Sequence, residues 1–178
     1  VFVEWSEANE ESHIRGVNVP SNACYFATLL AADEIYNIAG LKERAEKVRE
    51  YLLSHAYRDG FFVDNLIRNA AGTLEPTENY TETCQYYMFF FRVADKTTNK
   101  ELFYKLLNQS GKCHTCGEGK KLAEANMIYG VYMRLELLMR EGRREELYNE
   151  CLKYFYEMTK KTGTLWEHNG AWASCDHG

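Results

Sequence analysis

Thr81-Glu-Thr-Cys-Gln-Tyr-Tyr-Met-Phe-Phe-Phe-Arg-Val-Ala94 decides the fold, because read as a helix it is apolar or weakly polar on nearly every face. A helix with no polar side has no side to give to water, so it must be covered all round. Asn22 to Ile38 reads the same way. The stretches that follow these two are different. Leu41, Ala45, Val48 and Leu52 recur at i, i+4, i+7 and i+11, while Lys42, Glu43, Arg44, Glu46, Lys47, Arg49 and Glu50 fill the opposite side. That pattern is an amphipathic surface helix. Leu102, Phe103 and Leu106 form a shorter version, and Leu147, Cys151, Tyr154, Phe155 and Met158 a longer one. Ala123 to Arg140 precedes the last of these and carries an apolar stripe at Ile128, Val131, Tyr132, Leu135, Leu138 and Met139. The chain therefore alternates buried helix and surface helix three times.

Turn residues fall where this alternation needs them. Gly40 and Gly142 each lie between two helical patterns, where a left-handed residue ends the first helix. Thr98 and Glu101 have the spacing of a capping box for the fourth helix. Pro20 and Pro76 stand outside the helix interiors. Strand-like runs are confined to Val1–Trp5, Phe61–Asn65 and Thr164–Glu167. Ser21, Thr81 and Ala123 align as equivalent helix starts, a divergent internal repeat. The expected fold is all-α: three αα-hairpins in two layers, joined by short strand-like linkers. Three hairpins make an open arc whose two ends expose apolar helix surface. Further hairpins in a longer protein, or self-association, would cover them. The chain starts at Val1 rather than Met, which also fits one domain, residues 1–178, excerpted from a longer chain.

Bulk properties narrow the partners. A net charge of −5 in 178 residues disfavours a surface that tracks nucleic-acid phosphates. No apolar run approaches the length that spans a bilayer, and the first residues lack a signal-peptide pattern. Of the six cysteines, four lie at scattered spacing in segments that read as helices or helix starts, unlike the disulfide framework of a small stapled scaffold. Cys113-His-Thr-Cys116 has no second ligand pair at zinc spacing, so no metal and no cofactor is expected.

In a two-layer helical arc the linkers from each outer helix to the next inner helix gather at one end. Here the long linkers hold Glu4, Trp5, Asp64, Glu75, Glu78, Trp166, Glu167, His168 and His177. Carboxylates accept hydrogen bonds from hydroxyls, and indole faces pack on the C–H faces of a sugar ring, so the combination points to a carbohydrate partner. Glu167 beside Trp166 is the foremost candidate, because partial desolvation there would bring a carboxyl toward a general base's working range. Asp64 before Asn65 also fits a turn-forming acid. Glu82 and Gln85 either face the cavity or serve the first turn of their helix.

Val3-Glu-Trp5, Asn18-Val-Pro-Ser21, Gly60-Phe-Phe-Val-Asp64, Gly163-Thr-Leu-Trp-Glu167 and Ser174-Cys-Asp-His-Gly178 together resemble the catalytic domain of the inverting α-L-rhamnosidases, six-hairpin (α/α)6 glycosidases. The resemblance spans nearly the whole chain, as the C-terminal part of that domain, and implies a partial toroid. It makes Glu167 the general base. Trp5 of the Glu4-Trp5 pair lies against the sugar, and His177 reaches a sugar hydroxyl. Glu4 stands where the family has Asp, and Asp176 where it has Asn. The family's general acid lies upstream of the acidic-Trp pair, so the resemblance places it before Val1 and makes the isolated 178 residues inactive on glycosides. Two alternatives remain: a helical module that binds sugar or peptide without cleaving it, and another six-hairpin enzyme with a different sugar. The clustering of acids and indoles in linkers, not along a concave helical face, favours an enzyme.

Overall fold

Asn18 closes the head of the first helix, its side-chain Oδ1 accepting from Ser21 N at 2.9 Å. The computed structural model describes residues 16–112 and 122–168. Helix α1 runs Val19–Tyr36 and takes Pro20 into its first turn, where a missing N–H costs nothing. Gly40 was expected to end it, yet Asn37 does so, at φ 51° with its N–H on Asp33 O. Asn tolerates the left-handed region well enough to act three residues early. Gly40 instead stands at φ 88° immediately before α2, Leu41–His55. Ala45 and Leu52 of α2 are buried, as the surface-helix pattern requires.

Strand β2 (Tyr57–Arg58) and strand β3 (Phe61–Phe62) pair across Asp59-Gly60, both at positive φ. A two-residue loop with that backbone matches the twist of the strands it joins. The expected strand over 61–65 is in fact split. Asn65–Arg68 forms β4, which pairs antiparallel with β1 (Val17–Asn18) and with β5 (Leu74–Pro76), an element that its sequence does not announce. Thr164–Glu167 is not a strand; the contact there is an isolated antiparallel bridge between Met127 and His168.

Thr81 caps α3, Glu82–Phe90, through Oγ1 to Cys84 N at 3.0 Å. This helix stops four residues short of Ala94, because Arg92 turns left-handed at φ 61° and tucks Val93 and Ala94 into the core. The Thr98–Glu101 capping box does not form. Asp95 competes for the local donors, accepting from Thr97 N at 2.7 Å while Thr98 Oγ1 donates to Asp95 O. Helix α4, Lys100–Gln109, starts after Asn99. Helix α5 starts at Ile128, not Ala123, whose backbone is bridged to Thr81 instead. It ends at Arg140 as expected, on left-handed Gly142. Arg143 N reaches back to Leu138 O at 2.9 Å and Gly142 N to Met139 O at 3.0 Å, a Schellman closure. The last surface segment comprises α6 (Arg144–Cys151), a π turn (Leu152–Tyr156) and α7 (Glu157–Thr162).

Helix α1 packs on α2 and α3, α3 on α4 and α5, and α5 on α6. The expected alternation is therefore present among the described residues: a row α1–α3–α5, each member backed by the helix that follows it. Position in the row explains burial. Helix α3, with neighbours on both flanks, hides Cys84, Tyr86, Met88 and Phe89. The end members do not hide everything: Ile35 and Tyr36 of α1 are each 70% exposed, and Tyr129, Tyr132 and Met139 of α5 lie open. Tyr132 and Met139 were expected in the buried stripe, but Met133, Arg134 and Leu137 occupy it. Most of the apolar core is one cluster spanning the first two hairpins and the inner side of α5; Val131, Tyr154, Met158 and Trp166 form a second.

Candidate active site at the heads of the inner helices

Each segment that leads into an inner helix is hydrogen-bonded to the next. Val19 N donates to Asp64 O, Asp64 N to Asn79 O and Ala123 N to Tyr80 O, each at 2.9 Å, and Glu82 N donates to Ala123 O at 2.8 Å. Ile128 N donates to Glu167 O at 3.4 Å, beside the Met127–His168 bridge. The linkers thus meet at one end of the helix row, over the N-termini of α1, α3 and α5. The reason is local: the first turn of each helix leaves N–H groups and polar caps that a neighbouring extended segment can satisfy.

Glu167 sits at this end, half-buried, in the segment that follows α7. Its neighbour Trp166 was expected to wall a sugar site. The structure packs that indole into the second cluster instead, 2% exposed, with Nε1 donating to Thr162 Oγ1 at 2.7 Å. The Lys161 ammonium lies 5.5 Å from the indole centroid. Asp64 was expected to contact substrate and is also buried, 3% exposed. Its Oδ1 accepts from both Thr81 N and Thr81 Oγ1 at 3.0 Å, which makes it a brace for the head of α3. The structure therefore brings Trp166 and Glu167 to the α5 head, and places Asp64 at the α3 head. Glu4, Trp5 and His177 lie outside the described residues.

Glu82 and Gln85 belong to the scaffold under this end. Gln85 imitates a paired strand for Phe62, accepting from its N–H and donating to its carbonyl, both at 2.8 Å. A third contact, Gln85 Nε2 to Thr81 O at 3.0 Å, ties the head of α3 to β3. Glu82 accepts from Tyr86 OH at 3.1 Å, Gly111 N at 3.2 Å and Ala125 N at 3.3 Å. Beside it Arg134 and Glu150, each 1% exposed, form a buried ion pair at 2.7 Å. Arg134 also donates to Leu106 O at 2.8 Å and Leu107 O at 3.3 Å, closing the C-terminal end of α4. Lys112 N donates to Glu150 at 3.2 Å.

Charge follows from this arrangement. Burial, then the negative charge of Glu82, pushes the Tyr86 phenol well above its usual value. Burial works against the Arg134 guanidinium, but Tyr86, Glu150 and Glu82 outweigh it and hold its pKa above the usual one. Burial, then Asp64, raises the Cys84 thiol. The network ties the head of α3, the C-terminal end of α4, α5 and α6 together beneath the linker end. The one sequence clue to it was an arginine inside an apolar stripe, Met133-Arg134-Leu135.

No family model matches this sequence, and no curated protein matches it. Solved structures do match in fold. A GH78 family rhamnosidase of Bacillus sp. GL1 superimposes with a TM-score of 0.74 over 98% of this chain and 18% of its own, at 14% identity. A rhamnosidase from Klebsiella oxytoca, with rhamnose bound, superimposes with a TM-score of 0.59 over 84% of this chain and 27% of its own, also at 14% identity. The fold is therefore that of a helical portion of these glycoside hydrolases. The chain spans roughly a fifth to a quarter of their lengths. Among the described residues no helix is long and apolar enough to cross a membrane, and no three His, Cys, Asp or Glu side chains are grouped to hold a metal.

Proposed function

We propose that this chain is part of a glycoside hydrolase that cleaves terminal α-L-rhamnosyl linkages with inversion, as a partial (α/α)6 toroid in which Glu167 is the general base. The observation that carries this reading is the position of Glu167, half-buried in the linker laced onto the head of α5, in a chain whose fold matches two rhamnosidases. In such a reaction Glu167 takes a proton from water, and the water oxygen bonds to the anomeric carbon. A general acid on the other side protonates the departing glycosidic oxygen. The acid is proposed to come from outside these 178 residues. Inversion requires the two carboxyls to stand about 6.5–9.5 Å apart, leaving room for the water.

The sugar contacts divide by burial. Glu4, Trp5 and His177 are proposed to touch the rhamnosyl unit. Asp64 and Trp166, buried as they are, act by holding the heads of α3 and the Glu167 segment in place. The test is hydrolysis of an aryl α-L-rhamnoside by the protein that carries this chain, with the first-formed anomer read by NMR. Glu167→Gln is expected to abolish turnover while leaving rhamnose binding intact, and the wild-type product is expected to be inverted. Full activity in Glu167→Gln, or a retained anomer, refutes the proposal.

A further inference from the structure

Four consecutive residues, Ala125 to Ile128, are tied between them to three parts of the molecule: Glu82, Tyr154 and the Glu167–His168 segment. Ala125 N donates to the Glu82 carboxylate at 3.3 Å. Asn126 O accepts from the Tyr154 hydroxyl, and Asn126 Nδ2 lies 3.4 Å from His168 Nδ1. Met127 bridges to His168, and Ile128 N holds Glu167 O at 3.4 Å. Two of these ties come from buried side chains on opposite sides, Glu82 in the inner row and Tyr154 in the outer segment. The backbone that carries Glu167 hangs on the segment between them.

Tyr154 reaches this position because of the π turn. Glu150, Tyr154 and Met158 are all buried, at a spacing of four residues. In a regular α-helix each such step rotates about 40° past a full turn, so residues eight apart would diverge by about 80°. The wider turn over Leu152–Tyr156 removes that drift and keeps the three side chains on one face. Glu150 then meets Arg134, Met158 meets Trp166, and Tyr154 between them reaches Asn126.

We infer that Glu82 and Tyr154 are positioning residues, a two-sided clamp on Ala125–Met127 that sets the place of Glu167. This deepens the proposed role of Glu167 and rests on it. Neither residue contacts the reacting atoms; each acts through the backbone of the segment it grips. The π turn is the device that brings the second jaw into register.

The experiment compares Tyr154→Phe, which removes one oxygen and keeps the ring, with Glu82→Gln and with Val48→Ala on α2 as a control for general destabilisation. Two readouts are taken: kcat and KM on an aryl α-L-rhamnoside, and amide hydrogen exchange at Ile128 against that of α1. Tyr154→Phe and Glu82→Gln are each expected to lower kcat about ten- to a hundredfold, as a misplaced catalytic group does, with KM unchanged. Both are expected to speed exchange at Ile128 selectively. Val48→Ala is expected to lower the melting temperature without either effect. Wild-type kcat and wild-type Ile128 exchange in Tyr154→Phe, with Glu167→Gln inactive, overturn the clamp and leave the base assignment standing. An active Glu167→Gln overturns the base assignment, and in that case selective exchange at Ile128 still reports on the clamp. Should Tyr154→Phe not fold, Glu82→Gln decides by the same two readouts.

Discussion

Replacing Arg134 by Met tests the buried network most directly. The guanidinium binds Glu150 at 2.7 Å and caps Leu106 O and Leu107 O, and a methionine side chain has no donor to replace it at either. The Glu150 carboxylate, 1% exposed, would be left with the Lys112 N–H at 3.2 Å. Removing one partner of a buried pair costs about 3–5 kcal/mol. The two uncapped carbonyls add roughly 1 kcal/mol more, since water can reach a frayed helix end. The expected loss of about 4–6 kcal/mol is a large share of the roughly 5–15 kcal/mol that stabilises a typical domain. Urea unfolding followed by far-ultraviolet circular dichroism and by tryptophan fluorescence measures it, Trp166 being buried in the second apolar cluster. Arg134→Met/Glu150→Leu should recover part of the loss, because no charge is then stranded in the core, with a coupling of about 2 kcal/mol or more. A loss below about 1 kcal/mol in the single variant, the range of an exposed pair, would refute the reasoning. So would strict additivity in the double one.

Two further outcomes follow from local geometry. Gly111→Ala is expected to destabilise the fold by about 3 kcal/mol or more, comparable with overpacking a tight core. A Cβ there would lie 2.0 Å from Arg134 Nε and 2.3 Å from Glu150 Oε1, on a backbone at φ +89°. A melting curve within a degree of wild type would show that the ion pair has room to move. Thr97 holds the exposed Asp95 carboxyl below its usual value of 3.8, first through its hydroxyl and then through its N–H. A carboxyl depressed in the folded state contributes stability above its unfolded value, and loses it as pH falls through the folded one. Thr97→Val is therefore expected to move the Asp95 titration, followed by NMR, upward toward 3.8, and an unmoved titration counts against the assignment.

Helix character and order were legible in the chain because they depend on neighbours a few residues away. The all-round apolar surface of Thr81–Ala94 required a central helix, and α3 is one; Gly142 ends α5 where a left-handed residue was needed. Helix limits were less legible where a nearby competitor acted first, as Asn37 did before Gly40, and as Asp95 did at the expected capping box. The described parts of the linkers meet at the helix heads, but Asp64 and Trp166 within them turn inward, since an acid beside a helix head and an indole beside an apolar cluster gain more from those partners than from water.

What the sequence by itself determined was the alternation of covered and amphipathic helices and the segments that had to meet at one end, both properties of spacing along the chain. What only the tertiary structure decided was which polar groups meet inside. Arg134 finds Glu150 16 residues away, Tyr154 finds Asn126 28 away, and Ala125 finds Glu82 43 away. Such pairs depend on the rotation and register of packed helices, down to one widened turn at Leu152–Tyr156, and no periodicity in the chain encodes them.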